Sequence, residues 1–173
     1  KGLGEPLCWM AFGPFATAAA LLVITPTFDY EFGTLAIAAL RLGSGPALAT
    51  TLVLFCSHFH QVTEDAANGK KSPLVRLGTR RAAALIPWFF LFVFVLEWIP
   101  VISGQWPMTV LLSGLALPQG LKLIRLLGNH HDQPEMVANS KFIALRFQTL
   151  NGLGMGFGLA LASVWEIDLS AIG

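Results

Sequence analysis

Long stretches of the chain carry no acidic or basic side chain, and their lengths predict helices that cross a membrane. Such stretches occupy residues 6–28, 107–121 and 147–165, and residues 82–103 contain a single charge, Glu97. A helix needs about 20 apolar residues to cross a hydrocarbon core about 30 Å thick. Each of these stretches therefore predicts one spanning helix.

A further apolar stretch, residues 32–57, predicts a spanning helix with an internal break. Arg41 and the run Gly43-Ser44-Gly45-Pro46 interrupt it, and glycine and proline both weaken a helix interior. The predicted helices cover residues 6–25, 33–62, 81–101, 107–127 and 142–165. The expected fold is an all-α, multi-pass transmembrane helical bundle with about five spans, and residues 1–173 are expected to form a single integral membrane domain.

The composition argues against a soluble protein. Hydrophobic residues make up 54% of the chain and charged residues only 12%, whereas soluble domains carry about 25% charged residues. A soluble bundle would also need polar stripes that face water, and the apolar stretches show none. The formal net charge of +1 gives no reason to expect a nucleic-acid partner.

The placement of the basic residues predicts how the chain lies in the bilayer. Lysine and arginine collect between the second and third predicted helices and around the connection between the fourth and fifth. In a five-helix chain these two connections fall on the same side of the membrane. The positive-inside rule then predicts that the basic loops and the N-terminus lie on the cytoplasmic side.

The polar end of the second helix carries the strongest candidate chemistry. If this helix persists to about residue 68, His58, Gln61 and Asp65 share one face. Glu64 lies beside them, within reach of Gln61 and His60. Carboxylate and amide oxygens suit Mg²⁺, which prefers oxygen ligands. Asp65, Glu64 and Gln61 are therefore the candidate metal ligands.

A basic segment follows the turn that Gly69 permits. Lys70, Lys71 and Arg76 lie in it, and between Glu64 and Arg81 the basic residues exceed the acidic ones by three. Such a segment suits an anion of several charges, such as a diphosphate, with lysine as a point charge and arginine as a bidentate fork. For Lys71, Arg80 and Arg81, a role in setting topology alone is an equal alternative.

Two histidines and one glutamate leave alternatives open. His58 and His60 are possible zinc ligands, but no third ligand stands at a suitable spacing, so we favour a polar substrate cavity. Glu97 lies near the end of a predicted span and is expected to reach the membrane interface, with an intramembrane functional role as the less favoured alternative.

Four glycines in the last helix predict close helix packing. Gly152 pairs with Gly156, and Gly154 with Gly158, at the spacing that lets another helix approach closely. A phosphate-binding loop is the weaker interpretation, because no strand precedes these glycines.

The polar segment also resembles a known family. His58-Phe59-His60-Gln61-Val62, Glu64-Asp65, Gly69-Lys70-Lys71-Ser72-Pro73 and Val75-Arg76-Leu77-Gly78 resemble the second aspartate-rich motif of the UbiA-type intramembrane prenyltransferases. The variant is similar to the 1,4-dihydroxy-2-naphthoate branch, particularly its cyanobacterial and plastid phytyltransferases. Gly2-Leu3-Gly4-Glu5-Pro6-Leu7 with Gly13-Pro14, and residues 142–147, resemble the same branch.

The resemblance implies a nine-helix α-helical enzyme of the bacterial inner or thylakoid membrane, with this chain as its C-terminal five-helix part. Such enzymes use Mg²⁺ to bind a prenyl diphosphate, and an aromatic acid attacks the allylic cation that forms when diphosphate leaves. In the naphthoate branch the ring also loses its carboxylate. The implied roles are catalysis for Asp65, Glu64 and Lys70, diphosphate binding for Lys70, Arg76 and Lys71, and substrate binding for His58, His60 and Gln61.

The chain departs from the family pattern in two ways. Gln61 stands where much of the family has the first aspartate of the second motif, and the first aspartate-rich motif would lie upstream of Lys1. We therefore expect that this chain alone is inactive and that its partners include the missing N-terminal helices of the same enzyme.

Two other functions remain open on the sequence. One is prenyl transfer to another aromatic acceptor, such as homogentisate or 4-hydroxybenzoate. The other is transport of an anionic solute, for which paired repeats and a charge near the bilayer midplane are typical. The chain shows no repeat, and Arg41 is its only candidate for such a charge.

Overall fold

The computed structural model describes residues 3–24 and 31–170, and within them it contains helices and no strand. The helices are α1 (Gly4–Ile24), α2 (Phe32–Ala67), α3 (Pro73–Leu77), α4 (Thr79–Ile102), α5 (Met108–His130), α6 (Pro134–Val137) and α7 (Ser140–Ser170). The predicted all-α class is confirmed. Gly2 and the predicted last residue of the first helix, residue 25, lie outside the described residues.

Four of these helices, α1, α2, α4 and α5, are long and apolar enough to cross a membrane. Many large apolar side chains on them are exposed, as expected for helices that face lipid; Phe32 and Ile102 are examples. The predicted fifth span falls on α7, which has 31 residues but carries Gln148 and Asn151 along its middle. The protein is a multi-pass helical membrane bundle, and the role of α7 as a fifth span stays a prediction.

The predicted break in the second helix is wrong, because α2 runs without interruption for 36 residues and includes Pro46. Side chains hydrogen-bond the backbone around the proline. Thr50 Oγ1 donates to the Pro46 carbonyl at 3.0 Å, and Trp9 Nε1 of α1 donates to the Ser44 carbonyl at 3.3 Å. Additional polar partners of this kind are what allow a proline within a membrane helix.

The small residues that suggested a break serve instead as a contact between α1 and α2. A Cβ atom on Gly43 would lie 2.7 Å from the Gly13 carbonyl carbon and 2.6 Å from Thr17 Oγ1. Opposite this point α1 forms a single π-helical segment, Ala11–Phe15, around Pro14. A local π adjustment of this kind lets a membrane helix accommodate a proline, which lacks an N–H donor. The close contact fixes α1 against α2.

Aromatic side chains fill the centre of the bundle. The ring of Phe147 in α7 meets Phe90 edge-on at 4.6 Å and Phe94 at 5.9 Å, both from α4. Phe59 of α2 is fully buried in the same cluster, with its ring 6.0 Å from Phe55. Edge-to-face pairs of this kind are the preferred aromatic geometry, and they join α2, α4 and α7 into one core.

Glu97 lies inside the bundle, so the prediction that it reaches the membrane interface is wrong. Only 1% of the residue is exposed, and one carboxyl oxygen, Oε2, accepts a hydrogen bond from Asn151 Nδ2 of α7 at 2.8 Å. Gly45 of α2 makes room for it, since a Cβ atom there would lie 2.7 Å from Glu97 Cγ. A hydrogen-bonded partner offsets the cost of burying a polar group. The pattern of residues along one helix does not reveal such a partner on another helix.

The glycines of α7 divide into one packed pair and one open pair. Gly154 and Gly158 lie directly against the backbone of α5, and Thr109 Oγ1 donates to the Gly158 carbonyl at 2.6 Å. A Cβ atom on Gly152 or Gly156 would meet nothing within 4 Å. Close helix packing is therefore confirmed for the pair Gly154 and Gly158 only.

This difference gives a matched test of the packing. Gly154→Ala should lower the free energy of unfolding by about 1–3 kcal/mol, because the new methyl group overlaps backbone atoms of α5. Gly156→Ala should be neutral or stabilising by up to about 1 kcal/mol, because alanine favours the helix. Denaturant unfolding in detergent micelles measures both, and equal effects would contradict the packing.

The Glu97 contact predicts a second pair of variants. Glu97→Gln keeps an acceptor for Asn151 and should change the free energy of unfolding by less than about 1 kcal/mol. Glu97→Ala leaves Asn151 without that acceptor and opens a cavity, so it should cost about 2–4 kcal/mol. The same unfolding measurement applies, and a harmless Glu97→Ala would show that the contact contributes little.

Candidate functional site

The end of α2 and the turn after it form the centre of the candidate site. α2 continues to Ala67, as the predicted shared face of His58 and Asp65 requires. Gly69 then adopts a φ of 67°, which glycine reaches without steric cost. The chain reverses, and Lys70 N donates to the Asp65 carbonyl at 2.8 Å. The turn thus places the first basic residue directly beside the last acidic residue of α2.

Asp65 is a buried carboxylate with a lysine and a histidine beside it. The residue is 7% exposed. Lys70 Nζ donates to Oδ1 at 3.1 Å, and His58 Nδ1 lies 3.3 Å from Oδ2 without hydrogen-bond geometry. A buried charge needs such partners. The Lys70 side chain is 53% exposed, so its ammonium group also remains accessible to a ligand.

Glu5 of α1 completes this cluster, and sequence reasoning had not singled it out as a site residue. Its Oε1 lies 3.4 Å from His58 Nε2, so the imidazole stands between two carboxylates. The contact depends on the fixed position of α1 against α2. Two signals pointed to Glu5: it belongs to the stretch that resembles the naphthoate branch, and it is an acidic residue immediately before an apolar span.

Three buried oxygen atoms of this cluster have no hydrogen-bond partner among the described residues: Glu5 Oε1, Asp65 Oδ2 and Ser72 Oγ. Mg²⁺ commonly takes one or two carboxylates and completes its shell with substrate phosphates and water. Asp65 Oδ2, which lies 3.3 Å from His58 Nδ1 but accepts no hydrogen bond from it, could supply one such carboxylate oxygen.

The predicted metal ligands do not all meet. Glu64 is exposed on the outer side of α2, where its carbonyl accepts Asn68 Nδ2 at 2.9 Å. Gln61 is half-buried, one helical turn before Asp65. Within the described ranges, no group of three or more His, Cys, Asp or Glu side chains is placed to hold a metal ion. Any metal here would depend on ligands beyond the predicted set.

The other predicted residues divide between the pocket and its surroundings. Lys71 lines the same pocket as Lys70 and His58. Arg76 lies on α3 and is exposed, and it does not line this pocket. His60 is half-buried, with Nδ1 lacking a hydrogen-bond partner in the part of the chain described. The roles of Arg76 and His60 stay predictions.

The cluster opens into a polar pocket of about 660 Å³. Its charged and polar lining comes from Glu5, His58, Lys70, Lys71 and Ser72, and its apolar lining from Leu3, Leu7, Leu54 and Pro73, with Gly4 and Gly69. The two ammonium groups make it suitable for a group with several negative charges.

An apolar groove of about 690 Å³ adjoins this pocket. Gly4, Leu7 and Leu54 line both spaces. The rest of the groove lies between α1, α2 and α7 and is lined by Cys8, Ala11, Phe12, Thr50, Val53, Ser57, Lys141, Phe142, Leu145 and Gln148. A charged pocket beside an apolar groove suits a ligand with an anionic head and a long hydrocarbon tail.

Fold and site thus define an α-helical membrane protein with a candidate site for an anionic amphiphile, and comparison with known proteins narrows the class. The chain is 39% identical over 163 residues to the 2-carboxy-1,4-naphthoquinone phytyltransferase of Synechocystis sp. (strain ATCC 27184 / PCC 6803 / Kazusa), covering 94% of this chain and 51% of that protein. It is 36% identical over 163 residues to the chloroplastic 2-carboxy-1,4-naphthoquinone phytyltransferase of Arabidopsis thaliana, covering 94% and 43%.

These similarities confirm the resemblance to the naphthoate branch of the UbiA-type prenyltransferases. The chain spans about half the length of the curated relatives it matches. No family model matches the chain, and no solved structure gives a significant match.

The ion pair at the centre of the site predicts a specific energetic coupling. In a double-mutant cycle, Asp65→Asn and Lys70→Met should couple by about 0.5–1 kcal/mol, since the half-exposed lysine is partly screened. Lys71→Met is the matched control, because Lys71 lines the pocket but forms no ion pair with Asp65. Unfolding in micelles measures the cycle, and equal coupling for both lysines would contradict the geometry.

Proposed function

We propose that this chain forms the diphosphate-binding and prenyl-binding part of an enzyme that transfers a phytyl or polyprenyl group to 1,4-dihydroxy-2-naphthoate, in phylloquinone or menaquinone biosynthesis. One observation carries the proposal: the polar pocket that contains Lys70 and Lys71 adjoins an apolar groove. A prenyl diphosphate has this combination of a multiply charged head and a hydrocarbon tail. Both relatives are named phytyltransferases, which supports this choice of donor.

The pocket would bind the diphosphate through its cations. Lys70 and Lys71 would neutralise the negative charge that grows on the leaving oxygen as the carbon–oxygen bond breaks. Mg²⁺, the proposed cofactor, would supply further positive charge to the leaving diphosphate if Asp65 held it beside Lys70. His58 lines the pocket and lies between Asp65 and Glu5, and it would act as a positioning residue for both carboxylates.

The groove would hold the prenyl chain away from water. Its walls are the apolar side chains of α1, α2 and α7, including Leu7, Val53 and Leu145. Breaking the bond to diphosphate leaves an allylic cation, which water would trap. A water-poor site prevents this side reaction and leaves the aromatic ring as the nucleophile.

The transfer would then proceed at the ring carbon that bears the carboxylate. That carbon forms the new bond to the allylic carbon, diphosphate leaves with the electron pair of the broken bond, and the carboxyl group departs as carbon dioxide. The electron pair of the bond between the ring carbon and the carboxyl carbon returns to the ring. The naphthoate acceptor is favoured over homogentisate or 4-hydroxybenzoate because the names of both relatives specify a carboxylated naphthalene ring system.

The membrane in which the proposed enzyme acts is inferred from its similarity to the phytyltransferases and from the distribution of its basic residues. We place the chain in a bacterial inner or thylakoid membrane, with its basic loops on the cytoplasmic or equivalent side. The further helices of a phytyltransferase-length polypeptide would contribute the first aspartate-rich motif. Transport of an anionic solute is the less favoured alternative, because no internal repeat accompanies Arg41 and both relatives carry transferase names.

The proposal predicts the effect of removing one pocket charge. In membranes that contain the full-length polypeptide with Mg²⁺, Lys70→Gln should lower kcat/KM for phytyl transfer to dihydroxynaphthoate roughly 10²–10³-fold, the effect typical of losing one transition-state donor. Arg80→Gln removes a nearby charge outside the pocket lining and should stay within about twofold of the parent.

The same assay separates the competing functions. Faster transfer to homogentisate or 4-hydroxybenzoate than to dihydroxynaphthoate would reassign the acceptor. Absence of any prenylated product from the folded full-length protein, with anion uptake into vesicles instead, would favour the transporter. An unaffected Lys70→Gln enzyme would show that this pocket does not bind the leaving group.

A further inference from the structure

A second charged crevice lies between α5, α6 and α7, and of its lining residues only Phe142 also lines the apolar groove. It measures about 540 Å³, and its polar lining comes from Lys122 of α5, Arg146 of α7 and Asn139 before α7. Leu126, Met136 and Phe142 form apolar walls. None of its lining residues is acidic, so two cations converge on one space that supplies no counter-charge of its own.

The two cations are placed deeper than loop residues that set topology. Arg146 lies six residues into α7 and Lys122 eight residues before the end of α5, which puts them about 9 Å and about 12 Å from those helix ends. The positive-inside rule requires only that basic residues lie in or near the loops. It gives no reason for two of them to face one crevice from different helices.

The walls of the crevice indicate an amphiphilic occupant. Met136 and Phe142 are each 52% exposed, so the apolar surface is available to a bound molecule. Basic pockets between membrane helices on the cytoplasmic side are typical binding sites for anionic lipid headgroups. A free phosphate ion would be attracted by the cations but would gain nothing from the apolar walls.

We propose that this crevice binds the phosphate group of an anionic phospholipid, with Lys122, Arg146 and Asn139 around the headgroup and Leu126, Met136 and Phe142 beside the lipid chains. Arg146 supplies a bidentate fork and Lys122 a point charge for the phosphate oxygens. The site uses none of the residues proposed to bind the diphosphate head, so it stands whether or not the proposed transferase activity is correct.

Competitive lipid binding tests the proposal directly. Purified, delipidated protein is offered a mixture of phosphatidylglycerol and phosphatidylcholine, and native mass spectrometry counts the bound lipids. The parent should retain one phosphatidylglycerol molecule in preference to phosphatidylcholine. Each basic residue near an anionic lipid surface contributes about fivefold to the binding affinity. Lys122→Gln and Arg146→Gln should therefore each weaken the preference for phosphatidylglycerol about fivefold, and the double variant should weaken it more than tenfold.

Arg125→Gln is the matched control, since Arg125 is an exposed cation on the same helix that does not line the crevice. It should keep the preference within about twofold. An equal loss in Arg125→Gln would overturn the proposal in favour of diffuse surface charge, as would equal retention of both lipids by the parent. Displacement of the lipid by millimolar inorganic phosphate would also overturn it, because the site would then bind a soluble anion.

A variant that keeps both charges guards against misfolding as an explanation. Leu126→Trp fills the crevice from its apolar wall and should reduce phosphatidylglycerol retention although Lys122 and Arg146 remain. Unfolding curves of every variant are compared with the parent. Full retention in a stable Leu126→Trp protein would show that the lipid binds elsewhere.

Discussion

The candidate site depends on the burial of Asp65, a carboxylate that must have charged or hydrogen-bonding partners to be stable where it lies. The partners come from different parts of the chain. Lys70 reaches it through the turn at Gly69, and His58 stands two helical turns earlier on the same face of α2. One charge thereby fixes the helix end, the turn and the polar wall of the pocket.

Close packing of small residues elsewhere in the bundle supports this arrangement. The contact between Gly13 and Gly43 holds α1 against α2, and this brings Glu5 to within 3.4 Å of His58. The same position of α1 creates the apolar groove beside the polar pocket. A site for a charged head and a hydrocarbon tail thus depends on the close approach of α1 and α2 as well as on the chemistry of the polar residues.

The sequence predicts features that depend on one helix, but among the contacts between helices it predicts the packing of Gly154 and Gly158 and misses others. Charge-free stretches located the helices, and the spacing of His58 and Asp65 located the polar face of α2. The burial of Glu97 was missed because it depends on Asn151 and Gly45, which lie far away in the chain. Pro46 suggested a break because the hydrogen bond from Trp9 of α1 to the Ser44 carbonyl is recognisable only in three dimensions, and the local one from Thr50 to the Pro46 carbonyl was overlooked. Glu64 was grouped with Asp65 by proximity in sequence, although the helix turns it outward.

The central claim is that Asp65, and not Glu64, anchors a metal–diphosphate site. Spectroscopy of a bound metal ion in variants of these two residues tests it most directly. Mn²⁺ replaces Mg²⁺ in the full-length protein with an unreactive prenyl thiodiphosphate, and electron–nuclear double resonance detects phosphorus coupled to the metal. Asp65→Asn should abolish this coupling, and Glu64→Gln should preserve it. Loss of the coupling in Glu64→Gln, with an unchanged signal in Asp65→Asn, would contradict the account.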